Sequence, residues 1–226
     1  IGFDPKLFTQ KTFQIFFRRT NCKFKPLNKN LVDEIWKRKI QKNKKKFYNL
    51  PSNSISKSYK SKINKVVSYL KKKGADFHFI TASENNAWLL NIRGKDSDYS
   101  PIPESYILID KYKKVNFFCD LRKISLSLRR KFKNINFTEL KFTSEILSRI
   151  NRKKFIIDKN TCSVYFENTI LKGNKVLDLQ DPIYSFKAIK TKKEIENIKL
   201  AHKYDGAALT KYLFWLKKNF RKKKIT

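Results

Sequence analysis

The chain has 226 residues, 40% of them hydrophobic, with 19 Phe and 10 Tyr. That length suits one full domain with pieces of neighbours, at roughly 100–200 residues per domain, and the apolar content excludes wholesale disorder. The net charge of +34 points towards phosphate-bearing partners, but the basic runs Lys44 to Lys46, Lys71 to Lys73, Arg129 to Lys131, Arg152 to Lys154 and Arg221 to Lys224 are spread over the whole chain, which favours a compositional bias with only non-specific, salt-sensitive binding to nucleic acid.

The chain begins at Ile1 and contains no Met, so it reads as a fragment with both ends cut. Ile1-Gly2-Phe3 is a short apolar start closed by the turn signal Asp4-Pro5. Phe13, Phe16 and Phe17 have helical spacing and predict a buried helix face from about Thr9. Asn30 to Trp36 is a second short helical stretch with Asn30 as N-cap. Residues 37 to 59, rich in Lys, Asn and Ser, read as a linker.

A helix is predicted from Ser58 to Lys73, with Ile63, Val66, Val67 and Leu70 on its apolar face and Gly74 as its left-handed stop. Phe77 to Ile80 follows as a strand. Thr81-Ala-Ser-Glu84 has the form of a capping box opening a helix through Leu90. Ser105 to Asp110 and Val115 to Asp120 form a predicted hairpin. Beyond it come a basic helix near 123–133, a strand near 137–140, a helix with Ile146, Leu147 and Ile150, a strand at 155–157, and a helix from Thr161 to Leu171. Residues 181–190 read as extended. A second capping box, Thr191 to Glu194, opens a long helix to about Phe220, with Ile195, Ile198, Ala201, Ala208, Tyr212, Leu216 and Phe220 as one stripe. Gly206 inside it predicts close packing or a slight break.

Catalytic motifs are absent. Cys22, Cys119 and Cys162 form no C-x-x-C pair, and an odd count argues against a complete disulfide framework and for a reducing cytoplasm. His78 and His202 stand far apart. His202 with Asp205, Glu194 and Glu196 makes no recognised ligand set, so the sequence assigns no catalytic and no metal-binding residue. No Gly-rich phosphate loop or nucleophile elbow occurs. No apolar run approaches ~18 residues, so no membrane span is expected, and Asp4 and Pro5 interrupt anything resembling a signal peptide.

One loop draws attention: Trp88, Arg93, Gly94 and Asp96, followed by Pro101 and Pro103. It can present a guanidinium and an aromatic edge to a neighbouring domain or a peptide. Equally, Trp88 can be core, with Arg93 tying the loop to backbone carbonyls.

At these residues a family resemblance enters. Lys71 to Asp76 and Thr81-Ala-Ser-Glu-Asn-Asn-Ala-Trp-Leu-Leu-Asn-Ile-Arg-Gly-Lys-Asp96 resemble the second-domain signature of three-domain Xaa-Pro aminopeptidases. Ile1 to Pro5 and Asn30 to Trp36 resemble the end of that family's first domain. Lys192 to Glu196, Ala201 to Leu209 and Phe214 to Leu216 resemble the first helix of its catalytic domain. The matches occur in family order. Glu84-Asn85 departs from the family's Asp-Glu pair, and the Lys load is unusual.

The resemblance implies an α/β chain: a creatinase N-terminal-like domain with a mixed sheet flanked by helices, plus partial neighbouring domains. The expected divisions are 1–50, the end of a first such domain with a linker; 51–187, the second; and 188–226, the opening helix of a pita-bread catalytic domain. The parent is expected to be a cytoplasmic, homodimeric hydrolase with a dinuclear metal centre, manganese by family habit. It would cleave peptides with proline at the second position. The family's metal ligands would follow Thr226, so the resemblance carries no ligand onto this chain, and the fragment alone is expected to be inactive.

Overall fold

The fold is described by a computed structural model covering residues 1–36, 44–55 and 57–221. Parts of the predicted linker (37–43 and 56) and of the terminal basic run (222–224) lie outside the described residues. The chain divides into two units: residues 1–50 with 57–188, and residues 51–56 with 189–226.

In the first unit the elements run in order as β1 (Gly2–Phe3), α1 (Gln10–Phe17), β2 (Lys25–Pro26), α2 (Leu31–Ile35), β3 (Tyr48–Asn49), α3 (Tyr59–Lys72), β4 (Phe77–Ile80), α4 (Ser83–Leu90) and β5 (Ile92–Arg93). They continue with β6 (Tyr106–Asp110), β7 (Val115–Cys119), α5 (Leu126–Lys131), β8 (Ile135–Glu139), α6 (Thr143–Ser148), β9 (Lys154–Ile157), α7 (Val164–Leu171), β10 (Lys175–Asp178) and α8 (Pro182–Ala188).

Six strands make one mixed sheet in the order β10-β9-β4-β6-β7-β8. The β4–β6–β7 centre is antiparallel, while β9 and β10 on one side and β8 on the other join in parallel. Successive strand side chains point to opposite faces, and the buried residues divide accordingly. Ile80, Ile107, Ile109, Val115, Phe117 and Ile156 belong to the core cluster that takes in Val66 and Leu70 of α3, Leu89 of α4, Leu128 of α5 and Ile183 of α8. Phe79, Leu108, Phe118, Phe155 and Ile157 belong to the other, with Leu147 of α6 and Ile170 of α7. The result is the mixed sheet flanked by helices that the family resemblance implied.

Local chemistry explains several boundaries. Asn30, Ser58, Ser125 and Ser163 cap their helices by accepting a backbone N–H from the first turn. Gly74 sits at φ +62°, where a Cβ would be strained. The N-terminal segment closes another helix end: the carbonyls of Phe8 and Pro5 accept from the N–H groups of Val164 and Tyr165 at 2.8 and 3.0 Å, satisfying amides that open α7 without partners inside the helix.

Three expectations are corrected, and one element is new. The face of α1 is not buried: Phe13 and Phe17 pack with Phe24 and with each other, but Phe16 is 70% exposed. Thr81 does not cap α4. Its hydroxyl bonds that of Thr161 at 2.9 Å, and the helix begins after Ala82 with no side-chain cap. Residues 182–188 are helical, not extended: Asp181 accepts from the N–H of Ile183, and Pro182 suits a first helical position, where its missing N–H costs nothing. Strand β10 was not anticipated at all.

The second unit is dominated by α9 (Lys192–Asn219). Its predicted capping box is present, with Thr191 accepting from the Glu194 N–H and Glu194 accepting from the Thr191 N–H. The helix runs unbroken through Gly206, and a Cβ there would meet open space, so the expected close packing or break is not found. No described helix is long and apolar enough to cross a membrane.

Candidate functional site

The four loop residues have distinct surroundings. Trp88 is half-buried beside the sheet-covering core, and the Lys62 ammonium sits 4.1 Å from its ring centroid, a cation–π contact made inside the fold. Lys62 also donates to the Trp88 carbonyl and to Asn91 Oδ1, at 2.7 and 2.6 Å. The Arg93 guanidinium donates to the carbonyls of Ala87 and Ile92 at 3.0 and 2.9 Å. Its burial pulls the group's proton affinity below the ordinary arginine range, opposed by the nearby Tyr48 phenol.

Gly94 is required by a close approach: a Cβ would stand 2.7 Å from Pro103 Cα and 3.0 Å from its nitrogen. Asp96 pairs with Lys123, both largely buried, and its second oxygen accepts from the Glu104 N–H at 2.8 Å. Each of the four therefore holds backbone or a neighbouring element in place.

Of the four, Asp96 lines a cavity of about 460 Å³ at the start of α4, together with Ser83, Glu84, Ser97, Glu104 and Thr161. Glu104 also lines a smaller cavity of about 270 Å³, walled by Tyr106, Tyr165 and Phe166. Glu84 is not a free acid in the first cavity, because the Tyr184 hydroxyl donates to it at 2.7 Å. Burial and this bond to a carboxylate both raise the Tyr184 phenol.

Sequence reasoning missed the principal polar cluster of the unit. His78, in the middle of β4, is 1% exposed. Its Nδ1 lies 3.1 Å from the Ile156 carbonyl and its Nε2 lies 3.1 Å from Asp181 Oδ1. Both ring nitrogens face oxygen atoms, so the ring is held from both edges. Asp181 further accepts from Asn85 Nδ2 at 2.7 Å and from the Ile183 N–H at 3.0 Å, while its own N–H donates to Asp158 Oδ2. Burial pushes the Asp181 carboxyl upward, but the adjacent His78 and the hydrogen bonds from His78, Ile183 and Asn85 hold it below the usual carboxylate range. The one sequence signal for this cluster was Asp181-Pro182, a helix-start pair.

This cluster does not fit a metal centre. Both nitrogens of His78 and both oxygens of Asp181 are committed to protein partners, and neither cavity gathers a His with its acids. Among the described residues no group of three or more His, Cys, Asp or Glu could hold a metal ion. The thiols of Cys119 and Cys162 are driven upward chiefly by burial, which removes them as nucleophiles.

The model for the creatinase/prolidase N-terminal domain matches residues 38–194. A probable Xaa-Pro aminopeptidase P of Paracoccidioides lutzii is 29% identical over 99% of this chain and 39% of its own length. The Drosophila melanogaster Xaa-Pro aminopeptidase ApepP is 27% identical over 98% of this chain and 38% of its own. The chain thus spans well under half of these relatives. Among solved structures, an X-prolyl aminopeptidase from Caenorhabditis elegans, described as a cytosolic enzyme with a di-nuclear active site, superposes over 96% of this chain and 37% of its own, with a TM-score of 0.84 and 24% identity.

Proposed function

This chain belongs to the creatinase/prolidase N-terminal domain family, and we propose that its parent protein is a metal-dependent Xaa-Pro aminopeptidase that removes the residue preceding proline from peptide N-termini. The observation that carries this reading is coverage: relatives of that name align with 98–99% of the chain, including the segments on either side of the matched domain.

In this reading residues 1–50 end a first creatinase-like domain, 51–187 form the second, and 188–226 open the catalytic domain. The chain shapes access to the catalytic centre and supports a homodimer, and does not itself react. The commitment of His78 and Asp181 to internal hydrogen bonds supports that assignment. The parent works in the cytoplasm on peptides with proline second. Two metal ions, manganese in the first instance, would supply the activated water, held by residues outside this chain. Trp88, Arg93, Gly94 and Asp96 act here by fixing the loop at the domain edge.

Reading the coding sequence beyond Thr226 tests the proposal. A frame that continues with two spaced Asp, a His and two Glu supports it. A frame that continues without that set refutes it.

A further inference from the structure

We propose that one face of the first unit, built from residues 44–46, the turn at 121–123, α5 and the start of α3, is a docking surface for the phosphate backbone of duplex nucleic acid. This goes beyond the peptidase reading and does not depend on it.

The overall charge alone would not carry such a statement. The structure adds a concentration of charge. Residues 44–50 and 57–75 contain no acidic residue, and residues 121–134 contain none either. The fold brings these stretches together. Lys46 Nζ donates to the Arg122 carbonyl at 2.5 Å, and the Phe47 N–H donates to the Lys123 carbonyl at 2.9 Å. On the other flank, the Tyr59 hydroxyl donates to the Lys131 carbonyl at 3.3 Å, and the Tyr59 and Phe132 rings meet edge-on at 4.7 Å. Lys44, Lys60, Arg129, Arg130, Lys131 and Lys133 are all exposed along this path.

The acids that border the face are already neutralised or occupied. Asp120 is clamped by the Arg122 guanidinium through two bonds at 2.9 and 2.8 Å, which hold its carboxyl down at about 2. Asp96 is paired with Lys123, and Glu139 accepts from the Leu121 N–H. The six exposed cations named above thus outweigh the bordering acids, of which Asp96 and Asp120 are ion-paired.

The kind of partner follows from what accompanies the charge. Single strands are held by successive exposed aromatic platforms, and here Phe132 is buried, Tyr59 is half-buried against it, and Tyr48, 41% exposed, stands apart from both in the sequence. Insertion into a lipid surface needs an apolar helix face, and α5 offers only Leu126, 75% exposed. A protein partner would need buried aromatic or aliphatic anchors. A rigid polyphosphate surface read through point charges remains, and a duplex backbone is that surface.

The test is fluorescence anisotropy of a short mixed-sequence DNA duplex, and of the same sequence as duplex RNA, with the 226-residue chain across a salt series. One variant carries Arg129→Glu, Arg130→Glu, Lys131→Glu and Lys133→Glu. A control carries Lys114→Glu, Lys141→Glu, Lys172→Glu and Lys175→Glu, and so has the same net charge. The proposal expects the first variant to lose at least tenfold affinity and to lower the magnitude of the salt slope by about four times 0.9, with the control changed less than threefold. Equal losses in the two variants would overturn it, as would retention of the parent's salt slope or binding to anionic vesicles in preference to both duplexes. If the first variant fails to fold by circular dichroism, the same positions changed to Gln provide the comparison, with half the charge change and the same ordering expected.

Discussion

Replacing His78 with Ala removes the ring that bridges β4, β9 and the start of α8. Asp181, 2% exposed, then loses its imidazole partner. Breaking one side of a buried pair costs about 3–5 kcal/mol, a large part of a typical domain stability of about 5–15 kcal/mol. Asp181→Ala removes the acceptor shared by His78, Asn85 and the Ile183 N–H, and each donor left unpaired costs about 1–3 kcal/mol before any relaxation. The two losses overlap because each single change destroys the same contact. The double variant should therefore be less damaged than the sum, with a coupling of about 2–3 kcal/mol. The assay is urea unfolding of the parent chain, both single variants and the double variant, followed by circular dichroism, with slopes compared to confirm that one transition is measured. A coupling below about 0.5 kcal/mol would refute the view that His78 and Asp181 act as one unit. The pH dependence follows in sign. The folded carboxyl of Asp181 is depressed, so its stabilisation is present above the ordinary carboxylate range and disappears as pH falls through the depressed value. Asp181→Asn should flatten that acid limb.

Other predictions concern single positions. Gly94→Ala forces a Cβ against Pro103 backbone and should lower stability by about 1–3 kcal/mol, read as a shift in urea midpoint. Gly206→Ala meets open space in a continuous helix and should stabilise α9 by about 1 kcal/mol, visible as increased helicity on heating. A thiol reagent applied to the folded chain should modify exposed Cys22 and spare buried Cys119 and Cys162 until denaturant is added, which mass spectrometry of the labelled protein would show.

Much of the fold was legible because its signals are local. The apolar face Ile63, Val66, Val67, Leu70 and the Gly74 stop define α3, a helix of fourteen residues. The Thr191–Glu194 capping box sets the start of α9 within one turn. The hairpin of β6 and β7 needed only two apolar runs and a short turn. The failures were long-range. The Thr81 hydroxyl is drawn away from its own helix by Thr161, 80 residues on. The His78–Asp181 contact spans 103 residues and has no spacing rule. Strand β10 is an edge strand with Lys175 and Asp178 at its ends and only two apolar residues between them, too short for alternation to show. The start of α8 was different: Asp181-Pro182 carried the signal, and a cap followed by Pro should have been read as a helix opening.

The loop at 88–96 shows the packing demands that a family signature can meet. Its residues carried the resemblance, and within the fold Trp88, Arg93 and Asp96 engage Lys62, Ala87 and Lys123 while the Gly94 backbone lies close to Pro103. In this loop a glycine admits the Pro103 backbone and a guanidinium gathers two carbonyls.

The most direct test of the proposed function is release of the first residue from an Xaa-Pro peptide, measured for this chain and for the parent protein carrying its downstream sequence, each with added manganese and again after a chelator. The account predicts metal-dependent cleavage by the longer protein and none by the chain alone. Cleavage by the chain alone, or a longer protein that leaves Xaa-Pro bonds intact with manganese present, would contradict it.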